Sequence, residues 1–335
     1  MSLRALVTGA TGFLGQRLVR SLLEKGAHVR CLVRQSSNVA TLTDLQSQNP
    51  TGQLEIVTGD LGDSKSLVAS LEGIDVVYHL AAALSGSTAS MFLGSVIPMR
   101  TLAEAAAQAN VQRFVLVSSL GVYGAAEMRS GTVLDESAPV DPHPEQRDPY
   151  SFSKIRQEQV AREIAAERGM SLVVVRPGVI YGPGRPLLTS RVGLSIGPLL
   201  IRMGGRQPLP YTYVENCADA IMRAGMVPDI DGETVNVVDD GLPTGKTVVR
   251  FLKSHGQRIR SLWVPAPCIR PLAALAGWYA NWSEGQIPAV LTPYKAMSMW
   301  NRLRYSNDKA KRLLGWQPRV SIEEGFRRTI RERRE

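Results

Sequence analysis

The stretch Val7–Gly15, VTGATGFLG, decides the fold of this 335-residue chain. It begins within the apolar run ALVTG, which is typical of a strand, and it leads into a helical pattern from Phe13 to Lys25. Its three glycines, in the spacing G-x-x-G-x-x-G, allow a tight turn and a close approach of backbone N–H groups to a pyrophosphate. We therefore predict that this loop binds a dinucleotide at the amino terminus of the helix.

Beyond this loop, the first half of the chain alternates short apolar runs with helical patterns, which predicts a parallel sheet with crossover helices. The further apolar runs are HVRCLVR, LEIVTGD, DVVYHLAA, RFVLVSS and SLVVVRP. Helices are predicted over Ser64–Leu71, around Leu102–Ala109 and from Tyr150. The predicted fold class is α/β, a Rossmann doubly wound parallel sheet with a smaller C-terminal substrate-binding lobe.

The composition of the sequence changes after Pro177, where loops rich in glycine and proline begin. We predict that residues 1–179, about 210–243 and the C-terminal helices form the nucleotide-binding domain, and that residues about 180–209 and 244–298 form the substrate lobe. The lobe contains the apolar segment LWVPAPCIRPLAALAGWYANW, which three prolines and Arg270 interrupt. We expect this segment to pack within the lobe, and the alternative is a contact with a membrane surface.

Composition excludes several classes of protein. The chain has only three scattered cysteines and four dispersed histidines, which argues against a disulfide framework and a metal site and indicates a reducing cytoplasm. Its formal net charge of +9 comes without the aromatic and basic pattern of a nucleic-acid binder. We expect a small-molecule substrate, no nucleic acid, no membrane span and a homodimer.

The end of the second predicted strand bears on the choice of nucleotide. NAD-binding loops place an acidic residue there to bind the ribose hydroxyls. This chain has Arg34 followed by Ser36, Ser37 and Asn38, and the first carboxylate is Asp44. An arginine can pair with a 2′-phosphate that a carboxylate would repel, so we predict NADP, with NAD as the alternative. Arg34 as a surface residue without a ligand is the other interpretation.

Two segments, YSFSK at Tyr150–Lys154 and YSNDK at Tyr305–Lys309, place a tyrosine four residues before a lysine. Asp148 and Pro149 are suited to the N-cap and first helical position, so both members of the first pair lie on one helix face. In the second segment Ser306 or Asn307 is the natural cap, which leaves Tyr305 outside the helix. The first pair is therefore the catalytic candidate.

At this point the chain resembles the extended short-chain dehydrogenases/reductases, a family that includes the NAD-dependent epimerases/dehydratases and the 3β-hydroxysteroid dehydrogenases. The motifs TGATGFLG, GDLGD, HLAAA, SSLGVYG, YSFSK, RPGVIYGPG and YVENCADAI follow one another in the family's order. The final YSNDKAKRLLGWQPRVSIEEGFRRTI is similar to the family's C-terminal ending. The resemblance implies a Rossmann domain, a nicotinamide cofactor and a small C-terminal substrate lobe.

The resemblance also implies roles for residues. Ser119 would polarise the substrate oxygen, Tyr150 would be the acid/base, and Lys154 would bind the nicotinamide ribose and lower the pKa of the phenol. One departure is Ser95, which stands where the family usually has an asparagine that supports the lysine through water. The implied cofactor-binding residues are Gly9, Thr11, Gly12, Phe13, Leu14, Gly15, Arg34, Asp60, Leu61, Ala81, Ala82, Ala83, Tyr150, Lys154, Pro177, Gly178 and Val179.

Three functions are compatible with the sequence. The first is an NADP-dependent oxidoreductase that acts on a secondary alcohol or ketone by a Ser-Tyr-Lys mechanism. The second is a nucleotide-sugar epimerase or dehydratase with tightly bound NAD. In the substrate lobe, a phosphate or carboxylate could be held by Arg185, Arg191, Arg202 and Arg206, or these arginines could be solvated. The third, a sensor of NADP without activity, is disfavoured because the Ser-Tyr-Lys set is intact. The shortened stretch GGRQPLPYTYVEN lacks the Arg-Asp-Phe of sugar-nucleotide relatives and favours the first.

Overall fold

A computed structural model of the chain describes residues 2–48, 51–203, 207–282 and 291–331. The first half alternates strands and helices in this order: β1 (Arg4–Thr8), α1 (Phe13–Glu24), β2 (His28–Val33), α2 (Ala40–Gln48), β3 (Gln53–Thr58), α3 (Ser64–Leu71), β4 (Val76–His79), α4 (Thr88–Gln108), β5 (Arg113–Val117), β6 (Val133–Leu134), α5 (Pro149–Arg168) and β7 (Leu172–Pro177). The second half mixes short strands with helices: β8 (Val179–Tyr181), β9 (Gly193–Ile196), β10 (Leu199–Met203), β11 (Tyr211–Tyr213), α6 (Val214–Met226), β12 (Thr234–Val237), α7 (Gly245–Ser254), β13 (Arg260–Val264), α8 (Ala266–Trp282), α9 (Pro293–Trp300), β14 (Arg304–Tyr305), α10 (Asp308–Leu314) and α11 (Ile322–Arg331).

Seven strands form the central sheet, in the order β12-β7-β5-β4-β1-β2-β3. All six neighbouring pairs are parallel. The chain builds outward in one direction from β1 to β3 and in the other direction from β4 to β12, so the strand order reverses between β1 and β4. This is a doubly wound Rossmann sheet, which confirms the predicted α/β fold class, and ligands bind such sheets at the reversal.

Side chains from the sheet strands alternate between two apolar layers, because successive residues of a strand point to opposite faces. Ala5 and Val7 of β1 join the layer that α1, α2, α6 and α10 cover, whereas Leu6 joins the layer of α3, α4 and α5. In β5, Val115 and Phe114 divide in the same way. Helices on both faces therefore explain why the strands read as continuous apolar runs in the sequence.

A second, three-stranded sheet has the order β13-β10-β9, with β13 parallel and β9 antiparallel to β10. It packs against α8 and α9 through a small apolar cluster made by Met203, Ile269, Ala273, Ala296 and Trp300. The strand β12 lies at the edge of the central sheet beside β7. Helix α9 ends at Trp300, just beyond the lobe boundary predicted at residue 298, and the division into domains stays a prediction.

Two helices differ from the sequence-based assignment. Helix α2 was not foreseen, and α4 begins at Thr88, well before the predicted start at Leu102. The Ser87 hydroxyl caps α4 by accepting a hydrogen bond from the Ser90 N–H (3.2 Å). Pro98 lies inside α4 and obscured its first half in the sequence, since proline removes a backbone donor and usually ends a helix.

The apolar segment of the lobe folds as β13 and α8, and the expectation that it packs is wrong for most of α8. Within this helix Ile269 and Ala273 are buried, whereas Leu275, Trp278 and Trp282 are exposed. Short-range periodicity could not reveal this, because the helix is apolar around most of its circumference. Among the helices of the described ranges, none combines the length and the apolar character that crossing a bilayer requires.

Candidate active site

A cavity of about 950 Å³ opens at the reversal of strand order. The loop after β1, the end of β2, the segment after β5 and the first turns of α5 all line it. Residues that follow β8, together with residues of α9, line the same cavity. The central sheet and the smaller sheet region therefore share one cleft, which is large enough for a small-molecule ligand.

The glycine loop comes very close to the end of β4. Gly9 has a φ of +73°, and a Cβ added to it would lie 2.8 Å from the backbone nitrogen of Ala81. A Cβ at Gly15 would overlap the Gly9 carbonyl oxygen. Gly12 is the N-cap of α1, whose first-turn N–H groups have no intrahelical acceptor. The glycine loop therefore leaves backbone N–H donors open to an anion, as pyrophosphate binding requires.

Most of the predicted cofactor residues line this cavity. Asp60 and Ala83 lie outside the lining: the Asp60 carboxylate accepts from the Gly62 N–H (2.7 Å), and the Ala83 N–H donates to the Ser95 hydroxyl (2.8 Å). The residues that line it are Gly9, Thr11, Gly12, Phe13, Leu14, Gly15, Arg34, Leu61, Ala81, Ala82, Tyr150, Lys154, Pro177, Gly178 and Val179.

Arg34 stands directly after β2, exposed and at the edge of the cavity beside Ser36 and Ser37. The backbone turns here, because the Ser37 N–H donates to the Arg34 carbonyl (2.9 Å). Within the described part of the chain, the Arg34 guanidinium makes no ion pair. It is therefore available to an anionic group of a ligand lying across the ends of β1 and β2.

The start of α5 has the cap that the sequence predicted. The Asp148 carboxylate accepts from the Ser151 N–H (3.0 Å) and from the Ser151 hydroxyl (2.7 Å), and Pro149 occupies the first helical position. Tyr150 and Lys154 therefore lie one turn apart on the helix face that meets the cavity. Local signals suffice here, since a cap and a proline act within one turn.

Ser119, Tyr150 and Lys154 meet where β5 ends. The Ser119 hydroxyl accepts from the Gly121 N–H (3.0 Å) and hydrogen-bonds with the Tyr150 phenol. The Lys154 ammonium donates to the Val117 carbonyl (2.8 Å), so it ties α5 to the last residue of β5. This contact holds the helix and the strand in register beneath the cavity.

The electrostatics of the trio differ from the expectation in one respect. Burial raises the pKa of Tyr150 to about 12, and the hydrogen bond from Ser119 opposes that rise only in part. Burial lowers the pKa of Lys154 to about 8, with partial compensation by the Glu158 carboxylate. The sequence predicted that Lys154 would lower the pKa of Tyr150. That prediction is wrong, because desolvation of the phenolate dominates. Tyr150 is therefore a protonated phenol at neutral pH, ready to donate a proton.

Ser95, in place of the family's usual asparagine, bridges α4 to both the β4 end and α5. Its hydroxyl accepts from the Ala83 N–H, and its carbonyl accepts from the Gln157 side-chain amide (2.9 Å). Gln157 is fully buried and lies on α5, three residues after Lys154. The position supports the lysine-bearing helix through direct contacts, which sequence reasoning did not foresee.

A buried arginine that the sequence did not single out organises the loop after Ser119. The Arg147 guanidinium donates to the carbonyls of Gly121 (2.7 Å) and Tyr123 (3.0 Å) and forms an ion pair with Asp141. It also reaches the Ser151 hydroxyl (3.3 Å). Its nearness to the Asp148 cap in sequence was the only available signal, and that signal does not specify the partners.

The second tyrosine–lysine pair does not line the cavity. Tyr305 belongs to β14, which pairs with β6, whereas Lys309 lies in α10 after the Asn307 cap and pairs with Glu233 (2.6 Å). Tyr305 is therefore outside the helix that carries Lys309, as the cap argument predicted.

Three cationic side chains line the cavity beyond Ser119, Tyr150 and Lys154. Arg185 lies over the Phe13 ring, 5.6 Å from its centroid, and Arg191 donates to the Met299 carbonyl (3.0 Å). Lys295, which the sequence reasoning missed, lines the cavity from α9. Of the other predicted arginines, Arg202 lies outside the lining and Arg206 lies outside the described residues.

Comparison with known proteins agrees with this geometry. Residues 5–237 match the profile of the NAD dependent epimerase/dehydratase family. The chain is 35% identical over 202 residues to cinnamoyl-CoA reductase 1 of Petunia hybrida, covering 59% of this chain and 60% of that protein. It is 28% identical to a 3 beta-hydroxysteroid dehydrogenase/Delta 5→4-isomerase of Mycobacterium tuberculosis, covering 96% of this chain and 88% of that one.

Among solved structures, the fold is similar to that of dTDP-glucose 4,6-dehydratase from Streptomyces venezuelae, determined with NAD bound. The TM-score is 0.74 at 25% identity, and the match covers 99% of this chain and 97% of the other. Reductases, dehydrogenases and sugar-nucleotide enzymes therefore all stand among the similar proteins.

A buried ion pair beneath the trio gives a test of this architecture. Glu158 accepts from Arg176 of β7 (2.9 Å), and both side chains are buried. Glu158→Gln leaves the guanidinium without a charged partner, so the free energy of unfolding should fall by roughly 3 kcal/mol. Urea denaturation measures this loss. Glu163→Gln, an exposed position on the same helix, is the control and should cost less than about 0.5 kcal/mol. Equal losses would contradict the role given to the pair.

Proposed function

This chain belongs to the NAD dependent epimerase/dehydratase family, and within it we propose an oxidoreductase that transfers a hydride between NADP(H) and a secondary alcohol or ketone. The observation that carries the proposal is the meeting of Ser119, Tyr150 and Lys154 in the cavity that the glycine loop also lines. The set provides a hydrogen-bond donor, a proton source and a cation beside a site suited to a dinucleotide phosphate.

The residues fit a nicotinamide cofactor, because the glycine loop lines the cavity and leads into the amino terminus of α1, whose first-turn N–H groups can bind a phosphate. When bound, such a cofactor supplies or accepts the hydride. In the reductive direction Tyr150 gives its phenolic proton to the substrate oxygen as that oxygen becomes negative, and Ser119 donates a hydrogen bond to the same oxygen. Lys154, with a pKa of about 8, is mostly an ammonium at neutral pH and stabilises the phenolate left behind. The reverse direction returns the proton to Tyr150.

NADP is the proposed cofactor because of Arg34. The loop that follows β2 offers this guanidinium and two hydroxyls to the cavity, and it contains no carboxylate. A 2′-phosphate would gain a charge-assisted hydrogen bond there. NAD remains the alternative cofactor.

Net reduction or oxidation is favoured over epimerisation. The petunia relative is a reductase and the mycobacterial relative, aligned along 96% of this chain, is a dehydrogenase. The cations Arg185, Arg191 and Lys295 favour the second candidate, a nucleotide-sugar epimerase or dehydratase with retained NAD, since they could bind a diphosphate. The expected homodimer and cytoplasmic location stay predictions.

The reaction class is tested by purifying the protein and asking whether nicotinamide copurifies and survives dialysis. An oxidoreductase should be purified largely without bound nucleotide. It should oxidise added NADPH, measured by absorbance, in proportion to the ketone consumed. Retained NAD with interconversion of sugar nucleotides, and no consumption of external cofactor, would support the second candidate instead.

Tyr150→Phe should lower kcat by at least about a hundredfold, because only the proton donor is lost. NADPH binding, followed by its fluorescence, should survive. Tyr305→Phe removes the same oxygen from the other pair and should leave kcat nearly unchanged. Equal losses in the two variants would overturn the assignment.

Arg34→Ala should remove most of the preference for NADPH over NADH. A charge-assisted contact contributes roughly 1.5–3 kcal/mol, so NADPH binding should weaken about ten- to a hundredfold while NADH binding changes little. Calorimetric titration with both nucleotides measures the two affinities. Arg20→Ala, at an exposed position of α1, is the control. Tighter binding of NADH by the intact protein would contradict the cofactor assignment.

A further inference from the structure

Large apolar side chains are exposed along α8. Within the described residues, nine of the sixteen large hydrophobics that are exposed belong to this helix and the second sheet. Leu275, Trp278 and Trp282 are 60%, 62% and 68% exposed, and Leu272 and Tyr279 accompany them. Single exposed apolar residues are ordinary, but a run along one helix marks an interaction surface.

The composition of this helix favours a lipid interface. Arg270 is the only charged residue of α8, and two tryptophans and a tyrosine stand in its last turns. Tryptophan and tyrosine are enriched where membranes meet water, because their rings are apolar and carry one polar group. Ile269 and Ala273 attach one side of the helix to the protein, and the exposed side chains named above are open to such an interface.

The charge of the chain is concentrated in the same part of the molecule. Residues 180–209 and 244–298 contain eleven Lys and Arg against one acidic residue, Glu284, whereas the whole chain has a formal net charge of +9. The remainder of the chain is therefore close to neutral. This asymmetry turns the second-sheet side of the protein toward any anionic surface.

A ligand in the cavity does not account for this charge. Six exposed cations of α7, β13, α8 and the α7–β13 segment lie outside the cavity lining, and in the described part of the chain none of them forms an ion pair. They are Lys246, Arg250, Lys253, Arg258, Arg260 and Arg270. Cations that pair neither with the protein nor with the cavity are available to lipid headgroups.

We propose that α8, together with Arg258, Arg260 and Arg270 in and just before β13 and α8, forms a surface, here called the basic apolar face, that docks the protein on an anionic membrane. The tryptophans of α8 enter the headgroup region, and the cations contact acidic lipids around it. A second copy of the chain is a poorer occupant, because two like-charged faces would repel each other. The proposal does not depend on the reaction class, since it concerns binding alone.

The test is co-sedimentation of the full chain with vesicles, at about 0.1 M salt, where charge attraction is screened only beyond about 10 Å. We expect binding to vesicles of about 3:1 phosphatidylcholine to phosphatidylserine, at least about tenfold weaker binding to phosphatidylcholine alone, and weakening by salt. The double variant Trp278→Ser/Trp282→Ser should bind at least about tenfold more weakly, and the vesicle-induced blue shift of tryptophan fluorescence should shrink. Arg258→Glu/Arg260→Glu should lose at least about tenfold on the anionic vesicles, since each cation near such a surface contributes about fivefold.

The matched controls are Val68→Ser and Lys65→Glu, which change an exposed apolar and an exposed basic residue of α3. Neither should alter vesicle binding, and circular dichroism should show all variants folded. Failure of the intact protein to bind the anionic vesicles, or undiminished binding by the tryptophan variant, would overturn the proposal. So would sedimentation velocity showing a dimer that the tryptophan variant dissolves, because the face would then join two copies.

Discussion

The cleft depends on the close approach of two backbone segments, the glycine loop after β1 and the end of β4. Gly9 lies against the nitrogen of Ala81 with no space for a side chain, where β1 and β4 end and the strand order reverses. A larger residue would separate the phosphate loop from the β4 end and displace the start of α1. The same contact brings the glycine loop within reach of residues delivered by β5 and α5, so cofactor cradle and reacting groups share one cavity.

Sequence reasoning succeeded where the physical cause is local. The Asp148 cap and Pro149 act within one turn, so the helix that carries Tyr150 and Lys154 could be placed from a few letters. It failed where the cause lies far away in the chain. The Lys154 contact with the Val117 carbonyl joins residues 37 positions apart, and the Arg147 contacts depend on the path of an irregular loop. Helix α4 shows that a local signal can also mislead. Pro98 normally indicates the end of a helix, but α4 continues through it because the surrounding packing outweighs this preference.

The trio shows how burial sets chemistry. Desolvation acts in opposite directions on its two ionisable members, raising the pKa of Tyr150 and lowering that of Lys154, because each loses hydration of its charged form. The result is a neutral phenol beside an ammonium that is close to losing its proton. The nearby ammonium predicted a lowered pKa for Tyr150, whereas desolvation of the phenolate raises it. The charge of Glu158, one turn further along α5, raises the pKa of the lysine and so favours its ammonium form.

The parallel pairing of β10 with β13 has a consequence for the order of folding. Between these two strands the chain returns to the central sheet to add β12 and the helix α6. The second sheet therefore cannot close until a long intervening segment has been placed, and a non-local parallel pair of this kind forms slowly because loop closure costs entropy before any contact repays it. During synthesis the nucleotide half can assemble while β10 still lacks its neighbour, and its unpaired edge is exposed to other chains in that interval. A sheet that helps to complete the cleft thus depends on residues 260–264, which are made about 60 residues after β10.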